Sequence, residues 1–120
     1  MHDLGGRYAA YAERLVASAT VDPGHTPSEL RRAVLARAAR LGGASERLAR
    51  TTADVPPALA SYVDKVARHA YTVTDEDLGA LQRAGHPDDA LFEVTVSAAL
   101  GAALGRLERG LAALRGEEPD

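Results

Sequence analysis

The chain has 120 residues, the length of a single domain, and contains no cysteine. The lack of a thiol excludes disulfides, cysteine-ligated zinc, iron–sulfur clusters and every mechanism that needs a thiolate. A net charge of −3 argues against nucleic acid or an anionic membrane as a partner. Only 4% of the residues are aromatic, whereas 25 are Ala and 15 are Leu, so the composition predicts helices around an aliphatic core.

Two helices are predicted in the N-terminal part. The first runs from about Leu4 to Ala19, where Leu, Tyr and Ala recur every three or four residues along one stripe. The second begins at residues 26–29, Thr-Pro-Ser-Glu, in which Thr caps the helix and Glu reaches back to it, and it ends at Gly42-Gly43. From 44 to 57 the pattern weakens, so this segment is predicted to be a linker with at most one helical turn around 45–50.

A third long helix and then a short one are predicted next. One begins at Pro56-Pro57 and carries three basic residues near its end, where cations suit the helix dipole. The other follows a cap at Thr74 with an acidic first turn, and it closes at Gly85.

The last predicted helix, from about Asp88 to Arg115, is the longest. Between 90 and 104 almost every residue is apolar or small, which is typical of a helix surrounded by others. Its later leucines continue a stripe suited to an inter-subunit seam or to packing on the first helix: Leu100, Leu104, Leu107, Leu111 and Leu114. Each helical glycine costs roughly 1 kcal/mol against Ala, so close packing is expected to offset the three in this helix: Gly101, Gly105 and Gly110.

Together these elements predict one all-α domain over residues 1–120, a small bundle of about five helices with a long Ala-rich C-terminal helix. Its parts are a helical pair at 1–43, the linker at 44–57, a helical core at 58–115 and a tail at 116–120. No apolar stretch follows a basic start, and no uncharged apolar window reaches about 18 residues. We therefore expect a soluble cytoplasmic protein.

Three consecutive segments carry a family resemblance. Residues 66–78 (VARHAYTVTDEDL), 81–85 (LQRAG) and 88–94 (DDALFEV) give an acidic capped helix, an Ala-Gly end, a second acidic start and a long Ala-rich helix. This order resembles the helical hairpin of carboxymuconolactone decarboxylase-like proteins, a superfamily that includes the alkylhydroperoxidase AhpD. The resemblance covers roughly Leu59 to Leu114. It implies an AhpD-like fold that assembles into dimers, trimers or hexamers.

The peroxidase branch of that superfamily uses a Cys-x-x-Cys pair with a nearby His and Glu. One alignment puts His69 and Thr72 at the cysteine positions, and another places this segment after the cysteine region. Under either alignment no side chain here replaces a redox thiol. Peroxidase and disulfide-reductase activities are therefore not expected, and no cofactor is implied.

His69 and Glu93 are the candidate catalytic residues. A His can act as a general acid or base near neutral pH, but His69 can equally cap the C-terminus of its helix. Burial of Glu93 on the apolar helix would raise its pKa and make it a proton-transfer group; the competing interpretation is an ion pair with Arg68 or Arg83. Four residues are candidates for ligand binding, with Lys65 or Arg68 holding the carboxylate of a small organic acid: Tyr62, Lys65, Arg68 and Tyr71.

No metal site is predicted. The two acidic clusters lie at helix starts, where the helix dipole favours carboxylates. The four His residues lack the i, i+4 spacing of a helical zinc pair. The residues of these two clusters are thus assigned to the first turns of helices, where the dipole stabilises them: Asp75, Glu76, Asp77, Asp88 and Asp89.

Two function classes follow. In the first, which we favour, the chain is a thiol-free carboxymuconolactone decarboxylase-like homo-oligomer that acts in assembly or in small-ligand binding without turnover. In the second, it is an acid–base enzyme of decarboxylase or isomerase type acting on a small organic acid through His69 and Glu93. Convergence of this pair on a cleft would favour the enzyme. A DNA-binding module is disfavoured, since residues 61–120 are acidic and offer no basic recognition helix.

Overall fold

The computed structural model describes residues 9–45 and 54–116. These residues form helices and no strand, which confirms the all-α prediction. The helices are α1 (Ala9–Thr20), α2 (Ser28–Leu41), α3 (Pro57–His69), α4 (Asp75–Arg83) and α5 (Asp88–Leu114), with a 3₁₀ turn at Ala70–Thr72. The predicted start of the first helix before Ala9, most of the predicted turn at 45–50 and the end of the tail lie outside the described residues.

The two predicted helix caps, those of α4 and α2, have different outcomes. The cap predicted for α4 is confirmed, because the Thr74 hydroxyl accepts a hydrogen bond from the Asp77 amide while the Asp77 carboxylate accepts one from the Thr74 amide. The cap predicted for α2 is wrong. Its N-cap residue is Pro27, which makes no side-chain cap, and Thr26 turns its hydroxyl to Glu93 on α5 instead.

Most of the core lies between α2, α3 and α5. Val34, Val63 and Val94, one from each of these helices, are almost fully buried in a single apolar cluster. A second, smaller cluster joins α1 to α5 through Ala12 and Leu104. Helix α5 therefore packs against α1, α2 and α3 on three of its sides.

The contact between α2 and α5 explains two of the glycines. The two helices run parallel, with Leu35 beside Gly101 and Ala39 beside Gly105. A Cβ atom at either glycine would overlap the carbonyl oxygen of its α2 neighbour, so both glycines are needed for the close approach of the backbones. At Gly110 an added Cβ would meet no described residue within 4 Å apart from the backbone of its own helix, so the expectation of close packing fails there.

Helix α5 is long and apolar enough to cross a membrane by length and composition alone. Half of its apolar window is buried inside the fold, however, as in the core helix of a soluble protein. This burial accounts for part of its apolar composition.

Candidate functional site

Glu93 lies near the start of α5 and holds the loop that joins α1 to α2. One carboxylate oxygen accepts hydrogen bonds from the amide and the hydroxyl of Thr26, at 2.8 and 2.6 Å, and the other accepts one from the amide of His25 at 2.6 Å. A Cβ on Gly24 would lie 2.6 Å from this carboxylate. Glu93 thus supplies the acceptors that the backbone amides before α2 require.

These contacts reverse the expected titration of Glu93. Burial acts to raise the pKa of its carboxyl, but hydrogen bonds from His25 and Thr26 and the charge of Arg31 outweigh burial and leave the pKa below its ordinary value. The expectation of a raised pKa is therefore wrong. The expected ion pair with Arg68 or Arg83 is also wrong, since the carboxylate binds the loop and Arg83 binds Glu76.

His69 is the last residue of α3 and is exposed. Its ring meets the ring of the exposed Tyr71 edge-on, with the centroids 5.9 Å apart. Two other side chains reach the C-terminal end of α3: Arg106 donates to the carbonyl of Ala67, and the hydroxyl of Thr72 donates to the carbonyl of His69 at 2.6 Å. Arg68 is exposed beside this end. The hydrogen bond from Arg37 is the main cause of the lowered pKa of Asp64, and the charge of Arg68 adds to it.

The structure does not bring His69 and Glu93 onto shared partners. Arg106 of α5 contacts the C-terminal end of α3, so it shows which part of α5 lies beside that end. It is 13 residues beyond Glu93. At about 1.5 Å per helical residue, the two levels are roughly 20 Å apart along α5. Their joint catalytic role stays a prediction, without a shared contact to support it.

A groove of about 310 Å³ between α3 and α4 contains two of the four predicted ligand-binding residues, Tyr62 and Lys65. The Lys65 ammonium donates to Asp77 at 2.9 Å, and this bond and that from the Thr74 amide lower the pKa of the Asp77 carboxyl. The Tyr62 ring lines the groove, while its hydroxyl lies 2.7 Å from that of Thr95 on α5. Arg68, His69, Tyr71 and Glu93 do not line this groove.

In residues 9–45 and 54–116 no group of three or more His or carboxylate side chains is placed to hold a metal ion. The site thus offers one ammonium, carboxylates already engaged by basic side chains or amides, and an apolar floor. These groups suit binding of a small molecule better than proton transfer.

Among the residues that the structure describes, none covers the fourth side of α5, which is apolar. Its four large residues are strongly exposed: Phe92 at 69%, Val96 at 41%, Leu107 at 47% and Leu114 at 85%. Between them lie smaller exposed residues on the same side of the helix: Ala99, Ala103 and Gly110. We call these seven residues, from Phe92 to Leu114, the α5 stripe.

The α5 stripe divides the leucine row that the sequence predicts. Leu100, Leu104 and Leu111 pack against α1, whereas Leu107 and Leu114 remain exposed. Packing on the first helix is therefore confirmed for three of the leucines, while the inter-subunit seam stays a prediction.

Comparison of the chain with known protein families, characterised proteins and solved structures finds no match. The resemblance to carboxymuconolactone decarboxylase-like proteins therefore rests on the order of motifs in residues 66–94.

Proposed function

We propose that this chain is a thiol-free carboxymuconolactone decarboxylase-like protein that works in the cytoplasm as a homo-oligomer and has no peroxidase activity. The observation that carries the proposal is the α5 stripe. It spans 23 helical residues from Phe92 to Leu114, about 33 Å from the first to the last, without a charged or polar side chain among its members. An exposed apolar surface of this length on a small domain marks an interaction site.

The neighbouring helix enlarges this surface. Helix α1 packs beside the stripe and exposes Tyr11 and Leu15. At a width of about 10 Å, the stripe of about 33 Å and the roughly 18 Å of α1 present about 500 Å² per protomer, or about 1,000 Å² in a pair, which reaches the lower bound for a specific protein–protein interface.

Sedimentation velocity over a range of micromolar concentrations tests the proposal. We expect the wild-type chain to sediment as an oligomer and the Leu107→Glu variant as a monomer, because the glutamate would be buried unpaired in the interface. Val21→Glu is the matched control: Val21 is 58% exposed but lies outside the stripe, so this variant should assemble normally. A monomeric wild-type chain would contradict the proposal.

The groove between α3 and α4 favours a second role, the binding of a small organic acid. Lys65 gives one of its three N–H donors to Asp77 and keeps others for a ligand carboxylate, while Leu81 and the Tyr62 ring provide apolar contact. In NMR titrations with benzoate we expect shifts around Lys65 that the Lys65→Met variant loses. Benzyl alcohol, which lacks the charge, is the control ligand. Shifts centred on His69 and Glu93 would favour the acid–base enzyme instead.

A further inference from the structure

We infer that the α5 stripe binds the α5 stripe of a second copy in antiparallel orientation, with the two-fold axis passing beside Ala103. The inference rests on the proposed self-assembly and adds its partner, orientation and register. A two-fold interface uses the same patch on both copies, so every residue must find a counterpart within the stripe itself.

The spacing of the stripe supplies those counterparts. From Phe92 to Leu114 the steps are four, three, four, four, three and four residues, the same read from either end. The pattern repeats every 11 residues, which is close to three full turns of an α-helix. The stripe therefore turns around the helix by only about 20° per repeat and stays nearly straight. Rotation about Ala103 therefore places each member level with another member.

The sizes of the paired residues also match. The antiparallel register sets Val96 against Gly110 and Ala99 against Leu107, so that a large side chain faces a small one at both levels. Ala103 meets its own copy at the crossing point, where small side chains let the helices approach closely. A parallel pair would instead place each residue beside itself and leave a gap at Gly110.

Gly110 gives independent support. It weakens the helix, and within residues 9–45 and 54–116 no atom apart from the backbone of its own helix lies within 4 Å of the position its Cβ would take. The two other glycines in the middle of α5, Gly101 and Gly105, are explained by their contact with α2. A partner's Val96 seated on Gly110 would account for the glycine that the protomer does not explain.

A lipid surface fits the stripe less well. Helices that lie on membranes carry Lys and Arg along their polar face, whereas α5 begins with Asp88 and Asp89 and buries much of its remaining surface in the fold. A second copy buries the apolar residues without bringing the two acidic starts into register at one end.

The natural absence of cysteine allows a direct test. Single cysteines are placed at exposed positions of the full chain as Ala103→Cys, Ala99→Cys and Leu107→Cys, and cross-linking under mild oxidation is followed by non-reducing electrophoresis. Ala103→Cys should form a disulfide-linked dimer. Two copies of residue 99 lie about 12 Å apart along the antiparallel helices, beyond disulfide reach, so Ala99→Cys and Leu107→Cys should each cross-link at least about tenfold more slowly. An equal mixture of these two variants should cross-link rapidly.

The outcomes separate this inference from the proposed assembly. Efficient cross-linking of Ala99→Cys to itself would mean parallel helices and overturn the inference while leaving an oligomer. Failure of all three variants in a chain that sediments as an oligomer would mean that another surface is used. A wild-type monomer would overturn both proposals and point to a lipid or to the chain's own residues 1–8 as the cover. Circular dichroism of each variant checks that the helices are retained.

Discussion

The Glu93 carboxylate on α5 accepts hydrogen bonds from both the amide and the hydroxyl of Thr26, 67 residues earlier in the chain. The contact ties the entrance of α2 to the start of α5, and the packing of Leu35 on Gly101 continues the same pairing of helices further along. Glu93 is therefore a structural clamp in the geometry observed.

Removal of this clamp should destabilise the fold. We expect Glu93→Ala to lower the free energy of unfolding by about 2 kcal/mol, the size of one charge-assisted hydrogen bond, since the amides of His25 and Thr26 can partly turn to water. Urea denaturation measures the change. Glu13→Ala, at an exposed position of α1, is the control and should change stability far less. Equal effects of the two variants would contradict the clamp.

The contribution of the Glu93 clamp to the free energy of unfolding should also depend on pH. Because the pKa of Glu93 is lowered in the folded state, its contribution is fully present above the ordinary Glu pKa and is lost as the pH falls through the folded-state value. The difference in unfolding free energy between wild type and Glu93→Gln should therefore shrink in acid, while shifts shared with other carboxylates cancel. A difference that stays constant from neutral pH into acid would show that the charge of Glu93 is not used.

The glycines of α5 should respond oppositely to alanine. Gly101→Ala should destabilise the protomer by about 1–3 kcal/mol, because the new Cβ overlaps the Leu35 carbonyl oxygen and the backbone cannot move away. Gly110→Ala should instead stabilise it by up to about 1 kcal/mol through helix propensity. Urea denaturation on the Leu107→Glu background separates these effects from association. A loss of protomer stability in Gly110→Ala would show that the site is not open.

The contribution of an ion pair to the stability of the fold should depend on how far the pair is buried. Arg37 binds Asp64 through two bonds of 2.5 and 2.8 Å between α2 and α3, and this pair is partly buried. We expect Arg37→Gln to cost about 1 kcal/mol, within the upper range for such pairs. Arg83 binds Glu76 on the surface of α4, so Arg83→Gln should have a clearly smaller effect. The comparison is made by thermal unfolding, and equal effects would mean that the second bond and burial add nothing.

Local signals predicted much of the secondary structure. The Thr74 cap, the pair of glycines after Leu41 and the largely apolar stretch from 90 to 104 each act on residues within one or two turns, so their consequences are readable from neighbours in the chain. The α2 cap shows the limit of such signals. Thr is a suitable capping residue, but the hydroxyl of Thr26 donates to the carboxylate of the distant Glu93 instead of capping α2.

The candidate site was predictable only in part. Tyr62 and Lys65 share one face of α3, and both line the groove because one helix determines their relative positions. The partnership of Glu93 with His25 and Thr26 depends on how α5 docks beside the α1–α2 loop, a contact without a local signature. The leucine row of α5 likewise divides between α1 and the exposed stripe only once the neighbours of α5 are placed.

The sequence by itself determined an all-α, cysteine-free chain and the order of its helices, because helix starts, ends and periodicity depend on short-range backbone hydrogen bonding. It also contained the symmetric spacing of the α5 stripe. The tertiary structure decided which residues of that helix are covered, why Gly101 and Gly105 are needed, and that Glu93 binds a loop. Those outcomes arise from contacts between residues tens of positions apart, whose geometry depends on the packing of whole helices.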